Sequence, residues 1–145
     1  MKIISRLIFI CIFVLLSLNI GLRKTILSLP ERALLFSRGY VHLIIEGTCY
    51  YPEIRQTDNN PFETADGSKI NKKNPINHRW VAISRDLKSI LHFGDTIIIQ
   101  GTNMYDGRWV VRDIMNKRFN NRIDFLVNND SPVDKWDNIK MWYKK

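Results

Sequence analysis

The sequence predicts a mainly β fold, a small six-stranded barrel with one or two short helices, preceded by an N-terminal hydrophobic helix. Three observations carry this. From Tyr40 onward the chain is a series of short runs rich in β-branched and aromatic residues, separated by Gly, Asn, Asp and Pro clusters. Six such runs are the number a small closed barrel uses. With 145 residues there is room for one domain, and only Cys11 and Cys49 are present, so the fold stands on its core rather than on disulfides or a cysteine-held zinc.

Lys2 and Arg6 precede an unbroken apolar run from Leu7 to Leu16, continued by Ser17 and Leu18. That is the charged start and apolar centre of an export signal. The run is shorter than the roughly 20 residues of a spanning helix, and Asn19-Ile20-Gly21 is a poor cleavage site. Residues 1–21 are therefore expected to be either a signal peptide or a retained membrane anchor. Cys11 lies inside the run without the small residue before it that lipid attachment needs. Losing residues 1–21 removes Lys2 and Arg6 and no acid, so the formal charge falls from +8 to +6.

Residues 22–39 are expected to be a linker or short helix, initiated at Pro30. The domain proper is 40–145. Its expected strands are Val41 to Tyr50, Arg79 to Ile83, Asp95 to Gln100, Trp109 to Arg112, Arg122 to Val127 and Ile139 to Tyr143. Two short helices are expected, Arg85 to Leu91 and Pro132 to Asp137, the second with Ser131 as N-cap and Pro132 at the first helical position. The 27 residues from Tyr51 to Asn77 carry no periodic signal. Their order-promoting content, Phe62, Ile70, Ile76 and the turn pair Asp66-Gly67, predicts a long loop packed down as a wall.

An ordered series of short motifs runs through these elements: Thr48-x-Tyr50-Tyr51-Pro52, Gln56-Thr57-Asp58, Pro61-Phe62-x-Thr64-Ala65-Asp66-Gly67, Trp80-Val81-Ala82-Ile83-Ser84, Phe93-Gly94-Asp95-Thr96-Ile97, Trp109-Val110-Val111-x-Asp113 and Asn121-Arg122-Ile123-Asp124-Phe125. The series resembles the three-aspartate (3D) domain family. That family is a double-psi β-barrel related to the barrel of the A-type membrane-bound lytic transglycosylases, to rare-lipoprotein-A-like proteins and to expansins. The likeness covers about Thr48 to the C-terminus and implies a peptidoglycan-directed protein of the cell envelope, needing no cofactor and expected as a monomer. It departs from the pattern at one point: where the family has its first aspartate, this chain has Ser84. Asp86, two residues on, is expected to point elsewhere.

The resemblance implies Asp124 and Asp113 as catalytic residues. A glycosidic bond is cleaved by a carboxylic acid that protonates the leaving oxygen, usually with a second carboxylate. In a lytic transglycosylase the sugar's own 6-hydroxyl attacks, so one acid/base residue suffices and the product is a 1,6-anhydro sugar. Asp124 matches the acid position. Its neighbours Ile123 and Phe125 alternate to the other face, so any rise in its pKa must come from elsewhere. Asp113 would be its like-charged partner or a group that orients the sugar, and simple alternation places it on the face of Trp109 and Val111.

Substrate-binding candidates are Tyr50 and Thr64 by motif match, Ser84 as a hydrogen-bonding group or plain turn residue, and Trp109 as cleft wall or barrel filler. Arg122, with Arg112, Lys117 and Arg118, is expected either to meet peptide-stem carboxylates or to be an ordinary solvated loop charge. The alternative to cleavage is non-catalytic, expansin-like binding of cell-wall glycan, because the first aspartate is missing. A metal-dependent hydrolase would need His42, His78 or His92 beside the aspartates, and these histidines lack ligand spacing. Nucleic acid is not expected as a partner, since neither a basic helix nor a paired-aromatic motif is present. Cys49 is expected to be a buried small hydrophobe.

Overall fold

The computed structural model describes residues 29–53 and 60–145. The expected export segment, 1–21, lies outside the described residues. Among those described, no helix is long and apolar enough to cross a membrane.

Helix α1, Leu29–Ser37, has the expected proline, Pro30, in its first turn, with Glu31 beside it where the helix dipole favours an acid. It stops at Gly39, whose φ of 79° lets the Gly39 amide return to the Phe36 carbonyl. Phe36 then lies edge-on to Trp142, with ring centroids 5.3 Å apart. This contact docks α1 on the outside of the sheet.

Six strands follow: β1 Tyr40–Tyr50, β2 Trp80–Ile83, β3 Thr96–Gln100, β4 Gly107–Ile114, β5 Arg122–Leu126 and β6 Trp136–Lys144. Each falls on an expected run. They form one sheet that closes in a ring, in the order β1-β5-β2-β4-β3-β6. The β1–β5 and β2–β4 pairs are parallel and all others antiparallel. The pattern has internal two-fold order. Exchanging β1 with β4, β2 with β5 and β3 with β6 returns the same ring, and each half places a strand of the other half between two of its own consecutive strands.

Ile45, Val81, Ile83, Ile97, Ile99, Trp109, Val111, Ile123, Phe125, Ile139 and Met141 fill the ring. Each such side chain contributes about 1.5–3 kcal/mol by leaving water. Gly47 belongs to this interior by necessity: a Cβ there would stand 2.7 Å from Ile139 Cδ1 and 3.3 Å from Phe125. A second, smaller cluster lies on the outer face, where Tyr50, Ala82, Met115 and Leu126 meet Ile70, with Phe62, Trp80 and Phe119 packed against them.

Two expectations change. Arg85–Ser89 is helical as a short 3-10 segment, but Pro132 to Asp137 forms no helix. Its Ser-Pro start signal is local, whereas Trp136 pairs with Gly47 of β1 and begins β6, so tertiary pairing outweighs capping preference. The long loop does pack down over its described part. Glu63 bridges Lys69, Ile70 is buried in the outer cluster, and Pro75–His78 forms a 3-10 turn held by the Ile76 amide on Asn128 Oδ1 at 3.1 Å.

Candidate functional site

The register of four adjacent strands sets Thr48, Asp124, Ala82 and Asp113 in one row across the outer face. Asp124 and Asp113 are thus one strand apart on each side of Ala82, about 10 Å between their Cα atoms at the usual strand spacing. This corrects the alternation argument for Asp113. Between Val81 and Ala82 the β2–β4 register shifts, so Val111 pairs with Val81 but Asp113 pairs with Ala82 and Arg112 is the extra residue. The bulge turns Asp113 away from Trp109 and Val111, which stay inside the ring, and onto the face of Asp124.

The two carboxylates have unlike surroundings. Asp124 Oδ1 accepts one hydrogen bond from the Thr48 hydroxyl at 2.8 Å. Burial pushes its carboxyl up to about 6, and the negative charge of Asp113 adds to that, against the Thr48 bond and the charge of Arg122. Asp113 is instead an acceptor for three donors: the Ala65 amide at 3.0 Å, the Ile114 amide at 2.8 Å and the Tyr50 hydroxyl at 3.2 Å. Burial, then the charges of Asp113 and Asp124, raise the Tyr50 phenol well above its ordinary value, so it stays a donor. One group is poised to hold a proton near neutrality while its neighbour is held as an acceptor. Unlike environments of this kind separate an acid from its partner.

The loop of residues 60–70 supplies part of this frame. Arg112, the bulge residue, donates to Asp66 Oδ2 at 2.9 Å, and the Asp66 amide reaches the Arg112 carbonyl. Thr64 donates to Asp66 Oδ1 at 2.7 Å. Burial works to raise the Asp66 pKa, but the hydrogen bonds from Thr64, Arg112 and Ser68 outweigh it and bring it down to about 2. This clamp places the Ala65 amide on Asp113.

Of the expected substrate-binding residues, Tyr50 does stand beside Asp113, with little of its surface exposed. The other four have partners within the fold. Thr64 is buried, and its hydroxyl serves Asp66. Ser84 is wholly buried, and its Oγ accepts the Arg122 amide at 3.0 Å. Trp109 is a core residue with no exposed surface, its indole donating to the Tyr105 carbonyl at 2.7 Å and capped by Arg79. Arg122 is paired with Glu46 and lies against Phe119, on which Arg118 also rests, so its action on Asp124 is through charge. Arg112 is likewise engaged by Asp66.

Asp86 is exposed and turned to the Asn121 amide at 2.9 Å, away from the row. Burial acts to raise its pKa, but hydrogen bonds from Ser84 and the Asn121 amide hold it below the usual range. The histidines sit on separate elements: His42 against Trp142, His78 stacked on Trp80 and His92 near Asp95. No group of three His, Cys, Asp or Glu able to hold a metal occurs among the described residues. Cys49 packs against the ring interior half-buried, and burial pushes its thiol up to about 11, which disfavours a nucleophilic thiolate.

Thr48 and Asp66 are the site residues that motif reading quoted but gave no role. Their functions depend on partners 76 and 46 positions away, and local pattern carries no signal for such pairs. Compared with family models, with curated proteins and with solved structures, the chain finds no match.

Proposed function

We propose that this chain is an exported cell-envelope protein that cleaves peptidoglycan glycan strands as a metal-independent lytic transglycosylase, on a double-psi β-barrel of the three-aspartate kind. Asp124 is the acid/base residue. Protonated, it gives its proton to the leaving glycosidic oxygen as the bond to the anomeric carbon breaks. Its carboxylate then takes the proton of the sugar's 6-hydroxyl as that oxygen closes on the anomeric carbon, which restores the acid and leaves a 1,6-anhydro sugar. Asp113, fixed by three donors, provides negative charge for the oxocarbenium-like transition state.

The observation that carries the reading is the difference between two neighbouring carboxylates, one with its pKa pushed up to about 6 by burial and the other held by hydrogen bonds. The double-psi reading is supported by the two-fold order of the ring with its two inserted strands. The non-catalytic reading, a glycan-binding barrel, is favoured by one observation: the family's first aspartate position is Ser84, which is buried.

Incubation of purified sacculi with the protein tests the choice. Release of 1,6-anhydro muropeptides, seen by mass spectrometry and lost in Asp124→Asn, is expected. Sacculus pull-down without any such product would overturn cleavage and leave binding.

A further inference from the structure

Next to the outer cluster, with which it shares Phe62, lies an open groove of about 320 Å³, where the loop before the Pro75–His78 turn faces the loop after β5. That is the lower end of the volume range of small-ligand sites, about 300–1,000 Å³. Its apolar lining is Pro52, Phe62 and Pro75, of which the two prolines are buried and conformationally rigid. Lys72 and Lys73 line it from the first loop, and Asp130 from the second. The walls are tied together by Asn128, which accepts the Ile76 amide and donates to Asn74 Oδ1 at 3.2 Å.

The charges of this groove are available. Arg112, Arg122 and Lys69, three other cations near the outer cluster, are each engaged by an acid, and Arg118 rests on Phe119. Among the described residues neither Lys72 nor Lys73 has an acidic partner at ion-pair distance, and the Lys72 ammonium rests 4.6 Å from the centre of the Phe62 ring. Groove and acid are also connected. Asn128 stands four residues beyond Asp124 on the same segment, about 13 Å at the rise of an extended chain, and Phe62 packs on the Tyr50 and Leu126 cluster.

Resting on the glycan-directed reading, we infer that the groove binds the peptide branch of the strand: a short chain whose carboxylates meet Lys72 and Lys73, whose free amino group meets Asp130, and whose apolar side chains lie on Phe62 and the prolines. An apolar floor with cations on one wall and an acid on the other matches such a peptide better than it matches a neutral sugar. Of the guanidinium groups that sequence reasoning gave this task, Arg122 and Arg112 are engaged by Glu46 and Asp66, and Arg118 rests on Phe119.

The test is calorimetric titration of the full-length protein with a synthetic stem tetrapeptide carrying free carboxylates and one free amine but no sugar. Saturable binding is expected, weakening with added salt and about tenfold weaker in Lys72→Glu/Lys73→Glu. Arg85→Glu/Lys88→Glu, an equal charge change on the Arg85–Ser89 turn, is expected to leave it unchanged. Absence of saturable binding, or equal loss in Arg85→Glu/Lys88→Glu, would overturn the inference. Because the probe has no sugar, that failure leaves glycan cleavage standing. Peptide binding by a protein that neither cuts nor retains sacculi would instead overturn the glycan reading and keep the groove.

Discussion

Asp113 pairs across the sheet with Ala82, although an unbroken strand would have set Arg112 there. The single extra residue in β4 decides the chemistry of the outer face. It brings a second carboxylate to the side of Asp124 and releases Arg112 to clamp Asp66.

The raised pKa of Asp124 has a consequence for stability. Below about pH 4 the carboxyl is protonated in both folded and unfolded chains and costs nothing. Between about 4 and 6 the folded chain keeps a proton that the unfolded chain releases, so stability falls as pH rises, and above about 6 the full penalty remains. A rise from 3.8 to about 6 amounts to about 3 kcal/mol. Asp124→Asn is therefore expected to be more stable than the parent at pH 7 by up to about this much, with the two converging near pH 4. Urea denaturation across that range measures it, and a pH-independent difference would refute the burial account.

Asp66 works in the opposite sense. Its pKa is depressed, so its contribution is present above about pH 4 and lost as pH falls toward about 2. Asp66→Asn should cost about 2 kcal/mol at pH 7 and only a small part of that at pH 2. In hydrogen exchange the Ala65 and Ile70 amides, bonded to Asp113 and to the Phe62 carbonyl, should lose protection first. Unchanged protection there would mean that the loop is held by its apolar contacts alone.

Trp109 separates core from substrate contact. Trp109→Phe removes the indole hydrogen bond to Tyr105 and leaves a smaller ring beneath Arg79, and is expected to destabilise by about 1–3 kcal/mol. Affinity for glycan strands, measured by sedimentation with sacculi, should not change. A selective loss of affinity at unchanged stability would return Trp109 to the binding surface.

Gly47→Ala probes the ring interior. The added methyl meets Ile139 and Phe125, and overpacking of this kind costs about 1–3 kcal/mol. A fall in the urea midpoint with unchanged slope is the expected result. A neutral substitution would show that the interior is looser than its contacts imply.

The strands were legible because a closed ring leaves every one of them an apolar inner face: Ile123 and Phe125 in β5 mark themselves by alternation, and Ile97 to Ile99 in β3 by a short β-branched run. The outer face was harder to read. Alternation set Asp113 on the face of Trp109 and Val111, and the register shift that parts them is a property of two paired strands. The Ser131-Pro132 start signal predicted a helix that pairing with β1 displaced. Thr48 and Asp124 were both in view as motif letters, yet their hydrogen bond depends on a parallel pairing between the first and fifth strands. Thr64 was placed near the cleft by motif, while Trp109 and Ser84 could be read either as substrate contacts or as filler and turn residue; the burial of all three is a property of the closed fold.

The pairing of β1 with β5 also bears on when the acid can work. Thr48, which holds Asp124, emerges from the ribosome long before Asp124 does, and β1 is flanked in the ring by β5 and β6, the last strands to be made. A nascent chain cannot assemble the carboxyl's surroundings until its final third has been synthesised. Under the proposed function, a blade for the cell wall would thus remain sheathed throughout its own synthesis, and a chain truncated before Arg122 would be harmless as well as incomplete.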